Sequence, residues 1–230
     1  MKNKALYQRP LFSAGDNRVR LSPKPVFCRK VMMLAAMMCL SCVHTLAGAV
    51  DKSAVKEKWH TPFDLYLSPQ EAYEMKSGDP DNVLFIDVRT RAEIQFVGFT
   101  DMVDANIPIY VLSREWRDKA DGNHGSYRKL RNENFVSAVD NLLTAKNKDK
   151  SAPIILMCQS GGRSPKAARE LHEAGYQNVY FQVEGFEGIK AKEGPDKGKR
   201  NVNGWKNAGL PWSYKLKTEK MYFNFEADKE

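Results

Sequence analysis

The segment from Ala152 to Leu171 constrains this chain more than any other. An apolar run, Ala152-Pro153-Ile154-Ile155-Leu156, leads into Met157-Cys158-Gln159-Ser160-Gly161-Gly162-Arg163-Ser164-Pro165, and Lys166-Ala167-Ala168-Arg169-Glu170-Leu171 follows. That order predicts a buried strand, a tight glycine-bearing loop and an amphipathic helix. A loop of this kind gathers backbone N–H groups around one point, and the helix start adds unpaired donors and the positive end of its dipole. Both favour a thiolate over a thiol at Cys158. Arg163 brings a permanent positive charge in a planar fork suited to an oxyanion. The expected site is a sulfur nucleophile, Cys158, with Gln159, Ser160, Gly161, Gly162 and Arg163 forming the surface that binds a small anion.

Four residues separate Cys158 from Arg163. With this spacing the loop resembles that of the rhodanese family, C-x-x-G-x-R-S, in which the cysteine carries sulfur as a persulfide. Related phosphatases place five residues between cysteine and arginine and make a wider cradle for phosphate. Other segments carry the same resemblance. Val83-Leu84-Phe85-Ile86-Asp87-Val88-Arg89 followed by Glu93 is similar to the family's D-V-R-x-x-x-E signature. Asp104-Ala105-Asn106-Ile107-Pro108 is similar to G-A-x-N-I-P, with Asp104 in place of the glycine. Gly204-Trp205-Lys206-Asn207-Ala208-Gly209-Leu210-Pro211 is similar to the closing W-x-x-A-G-x-P element.

The resemblance implies a three-layer α/β domain over about residues 60–215, with a central, mostly parallel sheet of five strands. It also implies a sulfurtransferase that moves sulfane sulfur from an anionic donor such as thiosulfate to a thiophilic acceptor. In that pattern Asp87 and Arg89 brace the loop as an ion pair, and Ser164 supports it from the helix start. No cofactor and no metal is expected. Two alternatives stand beside this reading. One is a phosphatase or arsenate reductase of the same fold. The other is a non-catalytic or sulfur-carrier module that binds an exported redox protein.

Charge narrows the partners. The net charge is +8, but residues 1–49 hold eight Lys and Arg against the single Asp16. The remaining 28 basic and 27 acidic residues nearly balance, which argues against nucleic-acid binding. Within the leader, Arg29-Lys30 precede the apolar run Val31–Leu40, and Ala47-Gly48-Ala49 fits a signal-peptidase site. We therefore expect residues 1–49 to be a signal peptide cleaved after Ala49, the mature protein to be periplasmic or secreted, and no stable membrane insertion after cleavage. Cys28, Cys39 and Cys42 would leave with the leader. Cys158 would remain as the sole thiol in an oxidising compartment, with no disulfide framework.

Along the rest of the chain, Ser68-Pro69-Gln70-Glu71 has the form of a capping box that opens a helix ending near Gly78. Val83–Ile86 predicts a buried strand, Thr90–Phe96 a short helix with Arg91 and Glu93 on its surface, and Ala105–Val111 a second apolar strand. Residues 113–131 are highly charged and include Gly122-Asn123-His124-Gly125, which predicts short helix and loop. Phe135, Val136, Val139, Leu142 and Leu143 recur at helical spacing and mark a core-facing helix ending near Lys146. Asn178–Val183 predicts a further strand. Residues 189–203, with Lys190, Lys192, Lys197, Lys199 and Arg200, predict an exposed insertion. In the tail (216–230), alternating Met221, Phe223 and Phe225 predict an edge strand. His60, His124 and His172 lack metal-ligand spacing, and Trp59, Trp116, Trp205 and Trp212 are expected to pack.

Overall fold

The computed structural model describes residues 50–223; residues 1–49, expected to form a cleaved leader, lie outside them. Seven strands and four α-helices follow in order: β1 (Tyr66–Leu67), α1 (Pro69–Gly78), β2 (Leu84–Asp87), α2 (Arg91–Val97), β3 (Ala105–Asn106), β4 (Tyr110–Asp118), β5 (Gly125–Arg131), α3 (Phe135–Ala145), β6 (Ile154–Met157), α4 (Ser164–Glu173) and β7 (Val179–Gln182). Strands β1, β7, β6, β2 and β3 make one sheet in that order, and every pairing in it is parallel. The expected five-stranded α/β architecture is therefore present. Parallel strands need helical crossovers, which cover both faces and demand apolar residues on each. Leu84, Ile86, Ile154 and Leu156 meet Phe135, Val139 and Leu143 of α3 and Ala167, Ala168 and Leu171 of α4. Phe85, Ile155 and Met157 turn the other way, toward Ala72 of α1, Ile94 of α2, Phe186 and Trp205.

Two helices start as reciprocal capping boxes. The Ser68 hydroxyl accepts from the Glu71 amide at 3.2 Å, and the Glu71 carboxylate accepts from the Ser68 amide at 2.6 Å. Thr90 and Glu93 do the same for α2. Together these satisfy N–H groups that a helix start leaves bare.

Three expectations need correction. Residues 113–131 are not short helix and loop: β4 and β5 pair antiparallel as a hairpin outside the main sheet. Its turn lies between Lys119 and His124, where the Lys119 amide donates to the His124 carbonyl at 2.8 Å. Cross-strand pairs stabilise it, among them Trp116 edge-on to Tyr127 at 5.6 Å and Arg128 with Glu115 at 2.8 Å. The apolar segment 105–111 is not one strand. The sheet takes only Ala105–Asn106: the Ile107 and Ile109 amides still donate to the Asp87 and Val88 carbonyls at 3.0 and 3.3 Å, but the pairing loses its regular register there, and Tyr110 already belongs to the hairpin. The tail forms no edge strand among the described residues. A 3-10 turn at Thr218–Lys220 packs beside β3, neighbouring Met221 and Tyr222 join different core clusters, and Phe223 is 66% exposed. Phe225 lies outside the described residues.

Residues 189–203 carry no helix or strand and are mostly exposed. Their base is closed: the Ile189 amide donates to Asn203 Oδ1 at 2.9 Å, and Arg200 donates to the Gly188 carbonyl at 2.6 Å. No helix among the described residues is long and apolar enough to cross a membrane.

Candidate active site

The site stands at the carboxyl ends of β6 and β2, where open α/β sheets place their ligands. In the register of those strands Asp87 lies opposite Met157, so Cys158 emerges beside the Asp87–Arg89 turn. The chain then wraps around the sulfur and enters α4. The Arg163 amide donates to Cys158 Sγ at 3.4 Å. The amides of Gln159, Ser160, Gly161 and Gly162 donate to no acceptor among the described residues, which leaves a run of N–H groups available at one turn. Such a nest favours negative charge within it.

Other backbone holds this turn in shape. The carbonyls of Cys158 and Gln159 accept from the amides of Phe186 and Glu187 at 2.7 and 2.9 Å. Gly161 has φ +89°, and a Cβ there would stand 2.1 Å from the Val183 carbonyl oxygen. Only glycine fits both the conformation and the space. Gln159 turns away from the sulfur, and its Nε2 donates to Glu187 at 2.7 Å. Of the six loop residues singled out from the sequence, Cys158, Ser160, Gly162 and Arg163 line a cavity of about 260 Å³, while Gln159 and Gly161 shape the loop from behind. Ser164 opens α4, fully buried, and its hydroxyl has no partner among the described residues.

Beneath the loop, Asp87 and Arg89 are both fully buried. Arg89 Nε and Nη2 donate to the Asp87 carboxylate at 2.9 and 2.6 Å, and Nη2 also donates to the Gly98 carbonyl at 3.0 Å. The guanidinium lies 3.9 Å from the ring centre of Phe186, the residue whose amide holds the Cys158 carbonyl. A paired, hydrogen-bonded and stacked ion is the form in which charge tolerates burial. The pair does not line the cavity.

Arg163, expected to face an oxyanion, is instead paired with a carboxylate of the protein. Its Nη1 and Nη2 donate to the two Glu93 oxygens at 2.7 and 2.5 Å, a fork-to-fork pair between the loop and α2. Glu93 is thus no surface residue; its side chain is 15% exposed. Burial pushes its carboxyl up in pKa, but the hydrogen bonds and charge of Arg163, with the Thr90 amide, outweigh this and hold it at about 2. Burial likewise opposes the Arg163 cation, and Glu93 outweighs it, raising that pKa. The Thr90-x-x-Glu93 capping box is the signal that fixes Glu93 at the helix start, although sequence alone does not point it at Arg163.

The far wall of the cavity comes from the hairpin, through Tyr110 of β4 and Lys129 of β5. Neither is among the residues singled out from the sequence. Among the described residues no cluster of three or more His, Cys, Asp or Glu could hold a metal ion.

A sequence match to the rhodanese-like domain family runs from residue 68 to 192, more than half of the chain. The chain belongs to the rhodanese-like family. The rhodanese-like match holds the cysteine loop, the Asp87–Arg89 turn and the hairpin, and it ends inside the exposed insertion. The uncharacterized protein RC0915 of Rickettsia conorii is 33% identical over 147 residues, which are 63% of this chain and 93% of that protein. Among solved structures, Rv0390 from M. tuberculosis is 30% identical with a TM-score of 0.48, covering 65% of this chain and 97% of that one. The polysulfide-sulfur transferase homodimer from Wolinella succinogenes is 23% identical with a TM-score of 0.31, covering 52% of this chain and 68% of that one.

Proposed function

We propose that this rhodanese-like protein is a sulfurtransferase in which Cys158 carries sulfane sulfur. One observation supports this above others: a cysteine at the end of a buried strand, held in a C-x4-R turn of unbonded amides, faces a small cavity. At about 260 Å³ that cavity is smaller than the usual pocket for a drug-sized ligand, and it suits a small anion.

With thiosulfate as donor, the Cys158 thiolate attacks the outer sulfur. The S–S bond of the donor breaks, its electron pair leaves with sulfite, and a cysteine persulfide anion remains. A thiolate acceptor then attacks the terminal sulfur of that persulfide, leaves as a new persulfide and restores the Cys158 thiolate. Charge balances at each step and no proton need move. This suits a site with no histidine lining it. The turn of amides stabilises charge on the sulfur as it develops, which is electrostatic catalysis by donors already in place. We assign this chemistry to the exported protein that the leader implies, with a thiophilic small molecule or an exported redox protein as acceptor.

The test is intact mass after incubation with thiosulfate. The wild-type protein should gain one sulfur atom, lose it to added cyanide or thiol, and fail to gain it as Cys158→Ser. A wild-type protein that gains no sulfur from any sulfane donor, yet binds an exported redox protein, would instead be an interaction module.

A further inference from the structure

With Arg163 committed to Glu93, that pair presents little net charge to the cavity. The positive charge that remains comes from the hairpin. Lys129 lines the cavity with Cys158 and has no ion pair or hydrogen bond among the described residues. The residue as a whole is exposed, but burial first, and then the charge of Arg163, lower its pKa. Glu93 and Cys158 act in the opposite direction. Lys129 is thus an exposed hairpin residue that lines the same cavity as Cys158, Ser160, Gly162 and Arg163.

The strand that carries Lys129 is fixed on both sides. Leu112 of β4 is its register partner. Arg131, two residues on and therefore on the same face of β5, pairs with Glu170 of α4. The helix that begins at the cysteine loop thus anchors the strand. The other cation nearby, Lys166, is held over the Tyr110 ring at 5.7 Å, with its ammonium 3.4 Å from the Tyr110 hydroxyl.

We infer that Lys129, supplied by the hairpin, recruits the anionic end of the sulfur donor and makes the site prefer charged over uncharged donors. This rests on the sulfurtransferase reading of Cys158. A Lys ammonium is a compact charge with three donors, suited to the oxygens of a sulfonate-like group. As the S–S bond of thiosulfate breaks, the departing electron pair adds charge to the same group, so an ammonium placed there also favours the leaving step.

Two measurements on the purified protein separate the inference from the reading beneath it. The first needs no turnover: the rates at which Cys158 is alkylated by iodoacetate, an anion, and by neutral iodoacetamide. At low ionic strength Lys129→Met should lower the iodoacetate-to-iodoacetamide ratio by about fivefold, while Lys129→Arg keeps it and Lys166→Met leaves it nearly unchanged. The second is transfer itself. Lys129→Met should lower kcat/KM for thiosulfate about tenfold, mainly through KM, and flatten its dependence on salt, while transfer from an uncharged organic trisulfide stays the same. Lys129→Gln repeats both measurements if the methionine variant fails to fold. Should wild-type protein never take up sulfur, the sulfurtransferase reading falls, and the alkylation ratio still decides whether Lys129 recruits anions. An unchanged ratio in both Lys129→Met and Lys129→Gln would overturn the inference.

Discussion

The cysteine loop and the hairpin meet at one cavity, but they differ in how much of each is enclosed. In the loop, neighbouring backbone closes on backbone: Phe186 and Glu187 amides grip the carbonyls of Cys158 and Gln159, and Gly161 lies against the Val183 carbonyl. In the hairpin, the two strands pair only with each other, and the cross-strand pair Trp116 and Tyr127 is 57% and 55% exposed. The loop sets where the sulfur sits and has almost no freedom to vary. The hairpin contributes charge to the cavity through Lys129 and can change sequence at little cost in stability. The two regions should therefore respond very differently to substitution.

The largest effect is expected beneath the loop. Arg89→Met removes the partner of a fully buried carboxylate and leaves Asp87 charged and unpaired. Breaking such a pair costs about 3–5 kcal/mol, whereas replacing both members costs less because no lone charge remains. Urea denaturation should show that loss for Arg89→Met and partial recovery in Asp87→Asn/Arg89→Met. A single variant as stable as wild type would mean that the loop's foundation is not this pair.

Next comes the loop itself. Gly161→Ala sets a left-handed φ of +89° on a residue with a Cβ and drives that Cβ to 2.1 Å from a backbone oxygen. The chain must shift, and the amide turn shifts with it. We expect a loss of about 2–3 kcal/mol in stability. Thiosulfate uptake should fall about a hundredfold, which is about 3 kcal/mol of transition-state stabilisation. The measurement is initial rate at fixed thiosulfate together with the denaturation midpoint. An alanine variant with normal uptake would show that the turn tolerates displacement, and the contrast with the hairpin would lose its force.

How much of this was legible in the sequence follows the same division. The buried strand into Cys158, the glycine turn and the helix after it are legible because apolar periodicity and glycine carry direct conformational meaning. So is the Ser68–Glu71 capping box, whereas Glu93, expected on the surface of a short helix, in fact closes a second box with Thr90. The hairpin is not, because its charged residues obscure the period of two, and a register shift between Leu112 and Trp116 breaks it further. Its cavity residues, Tyr110 and Lys129, come near Cys158 only through that pairing. The Glu93–Arg163 pair joins residues 70 apart in sequence, and nothing local announces it. Residues 105–111 mislead for a simple reason: apolar character persists past Asn106, but regular pairing with β2 does not, and Tyr110 turns into the hairpin.

The Glu93–Arg163 pair links the rigid loop to α2 and should give an intermediate effect that depends on pH. The folded carboxyl titrates at about 2, below its ordinary value of 4.5. A carboxyl depressed in the folded state contributes stability that is full above about pH 4.5 and disappears as pH falls through about 2. The shift corresponds to about 3 kcal/mol. Glu93→Gln should therefore flatten the acid limb of the stability curve in that window. It also releases the Arg163 fork toward the cavity, so the anion preference of Cys158 alkylation should rise and depend less on Lys129. An unchanged acid limb would show that the carboxylate is paired no better in the folded chain than in the unfolded one.

The smallest effect is expected at the hairpin's outer end, and its smallness is the point. Trp116→Ser with Tyr127→Ser removes an edge-on aromatic pair whose members are both mostly in solvent. Pairs of this kind contribute about 0.5–1 kcal/mol to local strand association, and at an exposed hairpin little of that reaches global stability. The urea midpoint should move by no more than about 0.5 kcal/mol equivalent. Amides near the turn should exchange with solvent faster, because local opening no longer breaks that contact. Lys129 should stay in place, since the Arg131–Glu170 pair anchors its strand to α4 independently of the tip. Thiosulfate KM should thus match wild type in the double variant and rise in Arg131→Ala, which leaves the tip intact but cuts the anchor. A double variant with wild-type stability and a raised KM would show that the hairpin positions Lys129 through its tip, and that the exposed aromatic pair belongs to the working site.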